Sequence, residues 1–123
     1  MKSLFLCFLL ASAAAVATAA DGPSLTGKWQ VHTAIAGNEG DQTCTFIQKG
    51  PDLSGSCTSE GKTVEISGKV DGKKVTWSYK SDYNGAPLTL KYEGTLDAAS
   101  RITGSASVPE FQADGDFTAT LSN

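Results

Sequence analysis

The stretch TVEISGKVDGKKVTWSYK, residues 63–80, decides the fold. Val64, Ile66 and Val70, then Val75, Trp77 and Tyr79, place apolar side chains at every second position. Thr, Ser, Lys and Glu fill most positions between them. Successive side chains of a β-strand point to opposite faces, so this pattern makes two half-buried strands. Asp71-Gly72 between the runs is a tight-turn signal, because Gly accepts positive φ without steric penalty.

Working outward, the same alternation gives eight strands over 28–35, 43–48, 53–58, 63–70, 74–80, 88–96, 102–108 and 117–121. No stretch carries apolar residues at helical spacing. The connections are short and rich in Gly, Asn and Asp, the first being Gly37-Asn38-Glu39-Gly40. Short connections favour sequential antiparallel pairing, and eight strands in such a meander lose their exposed edges by closing. The expected fold is an all-β, eight-stranded antiparallel up-and-down barrel, apolar inside and polar outside.

Turn choices fix an expected register. A Glu60-Gly61 turn sets Gly55 opposite Ile66, Asp71-Gly72 sets Ile66 opposite Trp77, and Asn84-Gly85 sets Trp77 opposite Tyr92. Phe46, Ala106 and Ala119 continue that inward row. A second row holds Cys44, Cys57, Val64, Tyr79, Leu90, Val108 and Phe117. A third holds Gln48, Leu53, Gly68, Val75, Gly94, Gly104 and Leu121, whose three glycines leave room that Trp29 fills as a barrel floor. The opposite end is a mouth ringed by the loops around Asn38, Glu60, Tyr83 and Phe111. Trp77, Tyr79, Tyr92, Phe117 and Phe46 line the interior toward it; aromatic walls of this kind suit a small apolar or aromatic ligand, and the alternative is that these same side chains simply fill the core of so small a barrel.

The first 20 residues read as a secretory leader. Lys2 gives a positive start, LFLCFLL an apolar core, and Ala17-Thr18-Ala19 a small-x-small cleavage pattern. The expected domain is therefore 21–123, in a secreted or periplasmic compartment, with no membrane span after cleavage. Cys7 leaves with the leader. Cys44 and Cys57 remain, fall opposite one another in the register, and form one disulfide in an oxidising compartment.

The chain of 123 residues carries 10 basic and 13 acidic side chains and one His. A small acidic domain without a basic cluster does not suit nucleic-acid binding. His32 alternates outward with Gln30 and has no acidic or sulfur partner at ligand spacing, so it reads as a solvated surface residue. Glu39 with Asp41 and Asp114 with Asp116 lie in turns; Asp114-Gly115-Asp116 is at most a weak source of oxygen ligands for Ca²⁺. No catalytic residues, metal site or cofactor are expected, and the chain is read as non-enzymatic.

Gly27-Lys28-Trp29 at the opening of the first strand resembles the Gly-x-Trp of the lipocalin and avidin group, the calycins. Leu25-Thr-Gly-Lys-Trp29 is similar to an avidin start, and Val75-Thr-Trp-Ser-Tyr79 to an avidin strand with a biotin-contacting Trp. Beyond Trp77 the chain has no further Trp, and its last strand lacks the Arg that lipocalins set over the floor Trp. The resemblance implies a calycin barrel closed by Trp29, with a ligand entering at the other end. A Gly-x-Trp start and one disulfide also resemble the bacterial periplasmic inhibitors of secreted metalloproteases. That likeness implies a secreted protease as partner, engaged through Asp21–Leu25; a structural or surface-interaction module is the remaining alternative.

Overall fold

The computed structural model describes residues 24–98 and 100–122. The leader read over 1–20, and Asp21 to Pro23 of the N-terminal segment, lie outside the described residues. The strands are β1 (Gly27–Ile35), β2 (Asn38–Lys49), β3 (Asp52–Ser59), β4 (Lys62–Asp71), β5 (Lys74–Tyr83), β6 (Ala86–Leu96), β7 (Arg101–Val108) and β8 (Ala113–Leu121). Each pairs antiparallel with its neighbours in sequence, and β1 pairs with β8 to close the barrel. A single 3-10 turn, Pro109–Phe111, links β7 to β8. Among the described residues no helix is long and apolar enough to cross a membrane.

Three of the four connections at the mouth end are two-residue turns with both residues at positive φ: Ala36-Gly37 (52° and 86°), Glu60-Gly61 (51° and 81°) and Asn84-Gly85 (54° and 86°). This geometry matches the right-handed twist of the flanking strands. It also corrects the first connection. The chain turns at Ala36-Gly37, so Asn38, Glu39 and Gly40 belong to β2 and pair with Ile35, Ala34 and Thr33.

Much of the expected register holds: Phe46 faces Gly55, Gly55 faces Ile66, Trp77 faces Tyr92, and Tyr92 faces Ala106. Two ladders differ. Between β4 and β5 the turn residues are Gly72-Lys73, not Asp71-Gly72, so Trp77 faces Gly68 and not Ile66. The offset is two residues, an even number, so every inward side chain stays inward. Pairing there stops at Ser67 opposite Ser78, leaving the mouth-end portions of β4 and β5 without a shared ladder. Between β7 and β8 the offset is four, because β8 begins at Ala113; Phe117 faces Gly104, not Val108, and Ala119 faces Ile102, not Ala106.

That second offset decides what fills the glycine space. Phe117 sits lower in the barrel than expected, and a Cβ on Gly94 would stand 2.8 Å from its Cζ atom. Gly94 faces Gly104 across the ladder. A Cβ on Gly104 would collide with Glu93 O and Gly94 Cα. The glycines thus admit Phe117 and a close backbone approach, while Trp29 has its own seat.

Trp29 is fully buried beside Cys44 and Leu121. Its Nε1–H donates to Leu25 O at 2.9 Å, and Leu25 is itself fully buried. Leu25 N donates to Gln48 Oε1 at 2.8 Å, and Gln48 N donates to Thr26 Oγ1 at 3.0 Å. Leu25 and Thr26 are therefore tied to β2 at the floor. Above it the core is an aromatic column: Trp29 to Phe46 at 6.1 Å, Phe46 to Trp77 at 5.0 Å, Trp77 stacked on Tyr92 at 4.8 Å, and Tyr92 to Tyr79 at 6.2 Å. Phe117 meets both Trp77 and Tyr92 edge-on at 5.2 Å.

The Cys44–Cys57 disulfide is present, buried, and joins directly opposed residues of β2 and β3. A crosslink across so short a loop is worth ~3 kcal/mol through the unfolded chain. Replacing both cysteines by Ala should lower unfolding free energy by at least that amount, read from denaturant midpoints. Ala36→Asn should act in the opposite direction, because Asn tolerates the left-handed conformation better than Ala. A gain of ~0.5–1 kcal/mol is expected, and a loss would contradict the turn geometry.

Candidate functional site

Packing within the column ends at Tyr79 and Tyr92, and a cavity of about 290 Å³ opens above them at the mouth. Thr33 and Ile35 of β1, Gln42 of β2, Tyr79 of β5, and Leu90 and Tyr92 of β6 form its walls. Asn38, Glu39, Gly40, Asp41 and Ser59 form the rim on the β2–β3 side. A larger groove of about 420 Å³ lies over the outer wall, lined mainly by the outward residues Ser67, Thr76, Ser78, Lys91, Glu93, Ser105 and Ser107. Those side chains stand on one sheet face. At the mouth, by contrast, side chains converge from opposite walls.

The wall is polar at its tip. Gln42 Nε2 donates to Tyr79 Oη at 3.1 Å, and Tyr92 Oη lies 3.4 Å from Thr33 Oγ1. Gln42 Oε1 is buried with no hydrogen-bond partner. Turning the amide over would leave its nitrogen without an acceptor, so one polar atom stays unsatisfied in either orientation. Burial, and then the nearby Tyr79, raise the Tyr92 pKa well above its ordinary value, so Tyr92 stays a neutral phenol. An unsatisfied buried amide atom is unfavourable by ~1–3 kcal/mol unless something pairs with it.

Of the five residues expected to face a ligand, Tyr79 and Tyr92 line the cavity. Phe46, Trp77 and Phe117 pack into the column beneath and do not reach it. The sequence reading missed Thr33, Ile35 and Gln42. Extending the β2 alternation by one more inward step, from Cys44 to Gln42, would have found the amide, but a polar residue carries no hydrophobic signal.

His32 stands on the outer face beside this rim, and its surroundings correct the expectation of an unpartnered ring. Nδ1 lies 2.7 Å from Asp41 Oδ1, and Nε2 lies 3.0 Å from Glu39 Oε1. The β1–β2 register makes this contact, setting His32 directly opposite Asp41. Both ring nitrogens are engaged by carboxylates, so neither is free to take a proton from a hydroxyl nucleophile. Asp114 and Asp116 are exposed on the outer face, opposite Ser107 and Ser105.

Charge is unevenly distributed along the barrel. Glu39, Asp41, Glu60, Asp82, Glu110 and Asp114 lie toward the mouth, against Lys62 and Lys80. Toward the floor, Lys28, Lys49, Lys69, Lys73, Lys74 and Arg101 outnumber Asp52, Asp71 and Asp97. Glu110 also holds the rim in shape: Oε1 accepts from Thr89 N at 2.9 Å and Oε2 from Thr89 Oγ1 at 2.8 Å, which keeps its pKa below the ordinary value.

The hydrogen bond to Asp41, then that to Glu39, raises the His32 pKa above its ordinary value. The pair stabilises the fold fully below the unfolded-state pKa, and this contribution is lost as pH rises through the folded-state pKa. NMR titration of the imidazole should give a midpoint above that of a free His, and Asp41→Asn should move it down. An unchanged midpoint in Asp41→Asn would show that the contact does not persist in solution.

In comparisons with known proteins, no family model, curated protein or solved structure matches this chain.

Proposed function

We propose that this chain is an exported, non-enzymatic, calycin-like barrel that binds a small molecule at its mouth. The observation that carries the reading is the cavity above Tyr79 and Tyr92, walled by side chains that converge from β1, β2, β5 and β6. Binding pockets combine apolar walls with a few convergent polar groups, and ~300 Å³ is the small end of their range. Ile35 and Leu90 supply apolar wall, the two tyrosines supply ring and hydroxyl, and Thr33 adds a further hydroxyl. Trp29 sealing the far end supports the calycin likeness, and the disulfide is compatible with an oxidising compartment.

The inhibitor-like alternative depends on a free N-terminal segment. Leu25, its last residue, is buried in the floor and bonded to Gln48 and Trp29. That anchoring favours the mouth over the N-terminus as the binding element.

A screen of small apolar and amphipathic compounds should shift the NMR signals of Tyr79, Leu90 and Ile35 and leave those of Trp29 and Leu25 unchanged. Trp77 fluorescence reports indirectly, through its stacking on Tyr92. Leu90→Trp, which fills the cavity from a half-buried position, should weaken binding by at least tenfold while the barrel remains folded. Silence of the mouth signals across a broad panel would sink the reading.

A further inference from the structure

We propose that the barrel wall carries a docking site for an extended peptide segment of another protein, which pairs as an added strand in the seam between β4 and β5. This goes beyond small-molecule binding at the mouth and does not depend on it.

The seam is where the barrel's own pairing stops. Above Ser67 and Ser78 the two arms of this hairpin, 62–66 and 79–83, are equally long, so a complete hairpin would pair them up to the mouth. Their ladder ends instead at Ser67 opposite Ser78. Backbone hydrogen bonding alternates along an antiparallel strand. The flanking two-residue turns put Val64 and Ile66 at the hydrogen-bonded positions facing β3, and Tyr79 and Ser81 at those facing β6. The N–H and C=O groups of Thr63, Glu65, Lys80 and Asp82 therefore point into the seam without a ladder partner, and all four residues are exposed. Side chains bridge other places where a ladder stops short. Ser59 Oγ donates to Asp41 O between β3 and β2, and Glu110 Oε1 accepts from Thr89 N beside the end of the β6–β7 ladder. Among the described residues no side chain bridges the two arms of the seam.

These groups define the chemistry of the occupant. Each arm offers a donor and an acceptor on two residues spaced two apart, a repeat of ~7 Å that an extended peptide matches group for group. Behind the seam Val64, Ile66 and Tyr79 pack on the core, so the added strand carries apolar side chains inward. Glu65, Lys80 and Asp82 flank it outside and suit polar side chains there. The outer groove of about 420 Å³ is an independent second observation. It begins at the closed end of the seam: Ser67 and Ser78, the last paired residues, line it together with Thr76, Lys91 and Glu93. A chain leaving the seam there runs on over hydroxyls and one charge of each sign, which are surroundings for a polar peptide.

The test is amide hydrogen exchange by NMR on the oxidised protein, alone and with a capped peptide of alternating Thr and Val that has a Lys at each end. Alone, the amides of Thr63, Glu65, Lys80 and Asp82 should exchange at least tenfold faster than those of Val64, Ile66, Tyr79 and Ser81 beside them. With the peptide, the fast amides of at least one arm should slow by at least tenfold, while Thr33 and Ile35 at the mouth keep their signals. The same peptide with every second amide N-methylated keeps its side chains, loses the donors along one edge, and should bind at least tenfold more weakly. Slow exchange at all four seam amides in the protein alone would show a complete ladder and overturn the proposal. Protection that grows with protein concentration would assign the seam to a second copy and overturn it equally. Backbone pairing tolerates any sequence that keeps the alternation, so no slowing with this peptide, or equal binding of its N-methylated form, also overturns it. Small compounds that still shift Leu90 and Ile35 would then leave the mouth reading standing.

Discussion

The barrel is built around one continuous contact, the aromatic column from Trp29 through Phe46 and Trp77 to Tyr92. Eight strands enclose a narrow interior, and flat or edge-on rings fill it without leaving the voids that shorter chains would. Each ring comes from a different strand or lies far from the last in sequence, so the column also joins strands across the barrel that share no ladder. Phe117 wedges against two of the rings, and Gly94 is the residue whose missing Cβ admits it. Buried aromatics of this kind dominate core energetics, both by apolar area and by ring geometry.

The lower end of the column needs closing, and Leu25, just ahead of β1, does it. Leu25 covers Trp29, whose indole N–H would otherwise be unsatisfied, and accepts its hydrogen bond. Gln48 satisfies the Leu25 amide in turn. The disulfide lies beside this floor, joining β2 to β3 at the position next to Trp29. Crosslink, indole and buried Leu thus stiffen the same end. The mouth has no equivalent among the described residues: its turns are tight, but none of them caps the last ring.

The site is therefore where packing stops. Once Tyr79 and Tyr92 end the column, the inward positions above them include Thr33, Gln42, Ile35 and Leu90, a mixture too short to fill the barrel. The hydroxyls and the amide partly satisfy one another, and one amide atom is left over. Trp77 Nε1 in the column beneath is likewise buried without a partner, so it is the convergence of side chains from opposite walls that attaches the reading of a ligand site to the mouth and not to the broader groove on the outer wall.

Alternation along single segments determined the strand content, the inward set, the closed meander and the pairing of Cys44 with Cys57. These features depend on side-chain parity, and parity survives a slip of two or four residues. Tertiary structure alone decided the rest. Asp71-Gly72 and Gly72-Lys73 are both plausible turns from sequence, and closure of the barrel chose between them. The 3-10 turn at Pro109–Phe111 started β8 four residues early and carried Phe117 down over Gly94. The contact of His32 with Asp41 and Glu39 required β2 to begin at Asn38, where the sequence read a loop. Gln42 and Thr33 stayed invisible because hydrophobic periodicity marks what water drives inside. It is silent about polar groups that a closed barrel carries inward with the strand.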